Sequence, residues 1–214
     1  MDEDITVINT TTRNEKIKNF FINNKKKLAI SLSLIILLIL SYFAYGEFNK
    51  RNKLKIANKY NNLIINFTSG DQLNVKSEMI KIINAKDKTY SPLALYFLLD
   101  NNVINSKEKI NSLFDILINE TKVDKEINNL IIYKKALYNS EFETENNLLN
   151  ILNPIINSES IWKSHGLYLM AEYFLSKNEK QKSKEFFEKI LILENSNPQI
   201  KLEAQKRIQR DFSE

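Results

Sequence analysis

The 214 residues include one histidine, His165, and no cysteine. Disulfides and thiolate metal sites are therefore excluded, as are a zinc site built on two histidines and an H-E-x-x-H motif. A histidine-based triad is not expected either. With only three glycines, the chain contains neither a G-x-x-x-x-G-K-[ST] phosphate loop nor a G-x-G-x-x-G fingerprint. Carboxylate pairs such as Glu143 and Glu145 fall near helix ends, where solvation accounts for them; general acid–base work would need them buried and facing each other. The expectation is a protein that is not an enzyme and uses no cofactor or metal. The net charge of +5 arises from basic and acidic residues alternating along helices, the pattern of solvated faces. Without aromatic–basic interleaving, no nucleic-acid partner is expected. The side chains that remain for a site are apolar and aromatic.

The elements that must position them are helical. Three glycines and three prolines, set against 29 asparagines and 29 isoleucines, with no Val/Thr-rich alternation, predict an all-α body. Ile56, Tyr60, Leu63, Ile64 and Phe67 lie at helical spacing, and Thr68, Ser69, Gly70 and Asp71 read as the end of that helix. Ser91 reads as an N-cap followed by Pro92 at the first helical position, opening a helix over 93–101. Ser106 is expected to cap 107–119 and Asp124 to cap 125–139. Asn197 and Pro198 open a last helix that runs to about Phe212. Asn153-Pro154 is expected to end or kink the helix built around 148–152.

A period runs through these helices. Leu167, Met170, Ala171 and Phe174 are followed by Ser183, Phe187 and Ile190, offsets that resemble a tetratricopeptide repeat. Its second-helix signature recurs as Val75/Met79/Ile82, Ile110/Phe114/Leu117 and Leu148/Leu152/Ile155, with starts separated by 35, 38 and 35 residues. Any amphipathic helix offers apolar residues at such offsets. The weight rests on the near-constant period, and on Leu98 and Ala136 falling where Ala171 does. The expected fold is all-α: a single N-terminal transmembrane helix followed by a tetratricopeptide-like helical-hairpin solenoid over 72–214, with helix 199–212 covering its open end. Aligning Ala136 with Ala171 puts Tyr133 and Tyr168 at one offset, with Leu95 there in the preceding repeat. In tetratricopeptide folds that offset faces the inner groove. With Leu99, Leu130, Leu137, His165 and Glu172, these residues form a candidate groove for an extended chain segment or a partner helix. The alternative is that they pack hairpin against hairpin. His165 reads as a helix-surface or partly packed residue, with a pH switch as its alternative; Trp162 reads as a core or hairpin-junction residue, with a ligand anchor as its alternative.

Residues 28–45, from Leu28 to Tyr45, carry no charge, and eleven of the eighteen are Leu, Ile or Phe. As a helix they extend about 27 Å, close to the ~30 Å hydrocarbon core of a bilayer. They are read as an anchor in the lipid bilayer, with Tyr42 and Tyr45 at one interface and Lys25, Lys26 and Lys27 at the other. Ala44-Tyr45-Gly46 resembles a signal cleavage site and keeps a secreted, soluble alternative open. Residues 1–27 are expected to be a disordered cytoplasmic tail, with Lys16 to Ile22 as a short interfacial helix in the alternative, and 46–71 a juxtamembrane helix and turn. Six basic residues lie within 18 positions before the span and five within 18 after it; that difference alone hardly orients it, although the lysine triplet favours the tail inside.

The basic tail, lone span, Lys/Arg- and Tyr-bearing helix and degenerate hairpins together resemble the YfgM-like ancillary subunits of the Sec translocon. The closest likeness is in residues 162–212: Trp162 opening the final hairpin, Leu167 to Glu172 in its first helix, Lys184 to Leu191 in its second, then Pro198 with Leu202, Ala204 and Arg207. Gly70-Asp71 keeps the family's inter-helix pair, whereas Asn178-Glu179 departs from it. The resemblance implies a single-pass protein of the bacterial inner membrane, with the N-terminus cytoplasmic and the hairpin domain periplasmic. It implies the Sec translocon and a membrane-anchored periplasmic chaperone as partners, and secretory client proteins as cargo. The alternative is an envelope or cell-division scaffold acting as a homo-oligomer through the same repeats.

Overall fold

The computed structural model describes residues 2–68 and 72–212. Every regular element among them is a helix: α1 (Asp2–Thr68), α2 (Gln72–Asn84), α3 (Tyr90–Asp100), α4 (Lys107–Glu120), α5 (Lys125–Asn139), α6 (Glu145–Ile156), α7 (Lys163–Ser176), α8 (Lys180–Ile192) and α9 (Pro198–Asp211). The turn expected at Ser69, Gly70 and Asp71 lies outside the described residues. The chain divides into two compact units, Met1–Lys55 and Ile56–Glu214.

The first unit is a single helical rod. Where the sequence suggests a disordered tail, the described residues are helical from Asp2. No glycine or proline precedes Gly46, so nothing interrupts the hydrogen-bond ladder. It is long and apolar enough to cross a membrane, and none of its most apolar stretch is buried.

In the second unit the repeat signature is the core. Val75, Met79, Phe114, Leu117, Leu148, Leu152, Ile155, Ser183, Phe187 and Ile190 are fully buried, and Ile82 and Ile110 nearly so. Leu98, Ala136 and Ala171 are also fully buried. Ala171 and Ser183 are small because α7 and α8 approach closely there: the Ser183 hydroxyl donates to the Ala171 carbonyl at 2.8 Å. Helix α9 closes the array through Ala204, which joins Leu167, Ala171, Phe187 and Ile190 in one cluster.

The caps agree only in part with the sequence reading. Ser106 accepts from the Lys109 amide at 3.1 Å, and Asn197 accepts from the amides of Gln199 and Ile200. Asp124 sits at the N-cap of α5 without a side-chain cap bond. Ser91 is not a cap: its buried hydroxyl donates to the Ile82 carbonyl at 2.7 Å, tying α3 to α2. Asp87 covers the start of α3 instead, accepting from the amides of Thr89 at 2.9 Å and Tyr90 at 2.8 Å. Pro154 does not end α6 but lies within it. The carbonyl it leaves without a donor belongs to Asn150, which is exposed to water.

With so few glycines, other residues take the left-handed positions that end helices: Lys86 (φ 55°) after α2, and asparagine at two more. Asn102 (φ 51°) follows α3 and Asn178 (φ 63°) follows α7. Each is followed by an amide that reaches back in the Schellman pattern, Val103 to Leu98 at 2.9 Å and Glu179 to Phe174 at 2.9 Å. Asn178 and Glu179 thus make this turn without a glycine.

Candidate partner-binding cleft

The eight residues read as a groove do not share one surface. Leu95 is corrected to a core residue: it is fully buried among Leu63, Met79, Ala94 and Leu98. Tyr133 and Tyr168, at the equivalent offset, are partly exposed. Tyr133 stacks on Trp162 (5.8 Å between centroids, 21° between planes) and meets His165 edge-on at 5.8 Å. Tyr168 packs edge-on against Phe187 at 5.4 Å. Glu172 pairs with Arg207 of α9 at 2.7 Å. Leu99 is half-buried, Leu137 is 47% exposed, and Leu130 lines a dent of about 370 Å³ with Pro92, Tyr96 and Ile127. Burial raises the pKa of the Tyr96 phenol there, and its hydroxyl has no partner among the described residues. Tyr133 thus meets the following hairpin whereas Tyr168 packs within its own, and both residues stay partly exposed.

His165 belongs to this packing. Its ring lies 5.0 Å from Trp162, and burial lowers its pKa, opposed by a hydrogen bond to the Ile161 backbone. A histidine that holds its proton less readily when folded lets the unfolded chain take up more protons as pH falls. The stability it supports is complete above the unfolded pKa of about 6.5 and is lost as pH drops through the folded value. Thermal melts of the body are expected to fall as pH is lowered from 7 through 6, and His165→Gln is expected to flatten that slope. An unchanged slope would assign the acid sensitivity elsewhere.

A larger concavity lies on the flank formed by α6 and α8. A cleft of about 900 Å³ runs between the end of α6, the 157–161 loop and the end of α8, floored by Leu149, Ile156, Leu167, Phe186 and Leu193. Ile161 and Ile192 stand at its mouth, 65% and 80% exposed. Its rim carries Lys163, Lys189, Glu159 and Glu194, none of them in an ion pair among the described residues. Lys189 lies over the Phe186 ring at 4.3 Å. An apolar floor with a rim of both signs suits a polypeptide segment and not a polymer of one charge.

Two contacts shape the walls of the cleft. Gly166 of α7 lets α6 approach, since a Cβ there would stand 3.1 Å from the Ile156 side chain that lines the floor. Glu126, at the start of α5, clamps the 157–161 loop. Its carboxylate accepts from the Ser160 hydroxyl at 2.8 Å, the Ile161 amide at 3.2 Å and the Asn129 amide group at 3.2 Å. Asn129 also donates to Ser160 at 3.0 Å. Glu126→Ala is expected to cost about 1.5–3 kcal/mol, the range for hydrogen bonds to a charged group, and to speed exchange of the Ile161 amide. Retained protection at Ile161 would show that the loop does not depend on the clamp.

Sequence reasoning missed this cleft because its walls are two loops and the outward flanks of second helices. The visible signal was the pairing of Phe186 with Phe187, about 100° apart on a helix: Phe187 is fully buried, whereas Phe186 packs on Phe174 at 5.4 Å and stays partly exposed at the cleft. Among the described residues no group of three or more His, Asp or Glu side chains is placed to hold a metal ion. The chain matches no family model, no curated protein and no solved structure.

Proposed function

We propose that this chain is a membrane-anchored interaction protein, with residues 28–45 crossing the bilayer and the hairpin body holding apolar segments of other polypeptides in the α6–α8 cleft. The observation that carries this reading is the pairing, in one chain, of an unburied apolar helix of spanning length with a cleft of about 900 Å³ floored by apolar side chains. The resemblance to YfgM-like subunits supports a more specific setting. The body lies in the periplasm of a bacterial inner membrane, beside the Sec translocon and a membrane-anchored periplasmic chaperone, and assists secretory client proteins as they emerge.

The anchor acts through concentration. Confining a weak site to the membrane raises its effective concentration near co-localised partners without any new contact. Affinity capture of the full chain from gently solubilised membranes tests the setting. Translocon subunits and a periplasmic chaperone are the expected co-purifying proteins. Recovery of self-oligomers alone would remove the translocon role and favour the scaffold alternative.

A further inference from the structure

The charge of this chain is concentrated on the rod that carries the span. Residues 16–55 hold nine basic side chains and one acid, Glu47, a net +8, whereas the whole chain carries +5. The remainder is therefore net −3, and the high isoelectric point belongs to the flanks of the apolar stretch. Two clusters make up most of the excess: Lys25, Lys26 and Lys27 before it, and Lys50, Arg51, Lys53 and Lys55 after it. All seven are exposed, and among the described residues the one ion pair that any of them makes is Arg51 with Glu47 at 2.9 Å.

Helix geometry sets where these charges stand. From Lys26 to Lys53 is 27 residues of unbroken helix, or about 40 Å at ~1.5 Å per residue. The distance across a bilayer including its headgroup layers is about 40–45 Å. At 100° per residue, Lys50, Arg51, Lys53 and Lys55 spread around the helix instead of along one side. A stripe would suit a helix lying flat on a surface; a ring suits one that passes through it.

We propose that the two clusters are phosphate-binding collars that engage the headgroups of anionic phospholipids in both leaflets at once. This rests on the reading of 28–45 as a span and adds to it a lipid specificity. Each collar presents three or four cations at the depth of the lipid phosphates, and the uncharged stretch between them matches the hydrocarbon. Charge at both ends also accounts for the weak orientation signal: the basic residues serve two surfaces, so their difference across the span is small.

The test uses the full chain, purified in mild detergent from an equimolar mixture of phosphatidylcholine and phosphatidylglycerol, with the retained lipid counted by mass spectrometry. Phosphatidylglycerol is expected to be enriched at least about threefold, as each basic residue near the surface attracts anionic lipid. Neutralising one collar (Lys25→Gln, Lys26→Gln, Lys27→Gln) is expected to remove about half of the excess. Neutralising the other (Lys50→Gln, Arg51→Gln, Lys53→Gln, Lys55→Gln) removes the rest, and the sevenfold variant retains both lipids equally. Absence of enrichment in the unaltered chain, or enrichment that survives all seven substitutions, would overturn the proposal. So would stripping of the lipid by inorganic phosphate at ionic strength matched with chloride, which would assign the cations to free phosphate. Alkaline carbonate extraction of membranes separates the two readings: a chain that stays in the pellet without lipid preference loses the collars and keeps the span, whereas a chain released to the supernatant loses the span itself.

Discussion

Phe187→Ala is expected to destabilise the hairpin body by about 3–5 kcal/mol, the range for removing a buried aromatic ring from a core. The ring is fully buried, sits edge-on to Tyr168 at 5.4 Å and to Phe212 at 6.1 Å, and joins α7, α8 and α9 in one cluster. No neighbour can fill the void without breaking that three-helix junction. A domain of this kind has a total stability of about 5–15 kcal/mol, so the loss is a large share of it. The same change loosens α9, and with it the Arg207–Glu172 pair. Urea unfolding of the body measures the cost. A loss below about 1 kcal/mol would mean that α9 does not seal the array through this ring.

Ile161→Asp combined with Ile192→Asp is expected to leave stability within about 0.5 kcal/mol, because both side chains are largely exposed. Partner capture, by contrast, is expected to fall at least tenfold. Fully burying one isoleucine contributes about 1.5–3 kcal/mol, and each 1.4 kcal/mol is a factor of ten in affinity. Two carboxylates placed at the mouth of an apolar cleft also oppose entry of an apolar segment. Thermal melting and peptide binding measured on the same preparation separate the effects. Unchanged binding would place partner contacts elsewhere on the body.

Phe186 and Phe187 show how far the fold and the cleft could be read beforehand. Core positions obey a period, so Phe187, Phe114 and Ile190 were legible from spacing alone, and all three are buried. Asn197 was legible as a cap because its partners are its own next residues. Ser91 was not: its hydroxyl bonds nine residues back to Ile82, a contact that exists only once α2 and α3 have packed. Leu95 failed for a related reason, since repeat alignment assigns an offset and the neighbours decide enclosure. The cleft was the least legible feature. Its loop wall depends on Glu126 meeting Ser160 across 34 positions, and a contact of that separation leaves no local pattern.

The most direct measurement is site-specific photocrosslinking in native membranes from position 192, at the mouth of the cleft, and from the exposed position 137 of α5 as the comparison. Adducts with secretory chains are expected from 192 and not from 137, and they are expected to disappear when residues 28–45 are deleted from an otherwise folded chain. Equal adducts from both positions, adducts from 137 alone, or adducts that survive loss of the span would contradict the account of a tethered cleft.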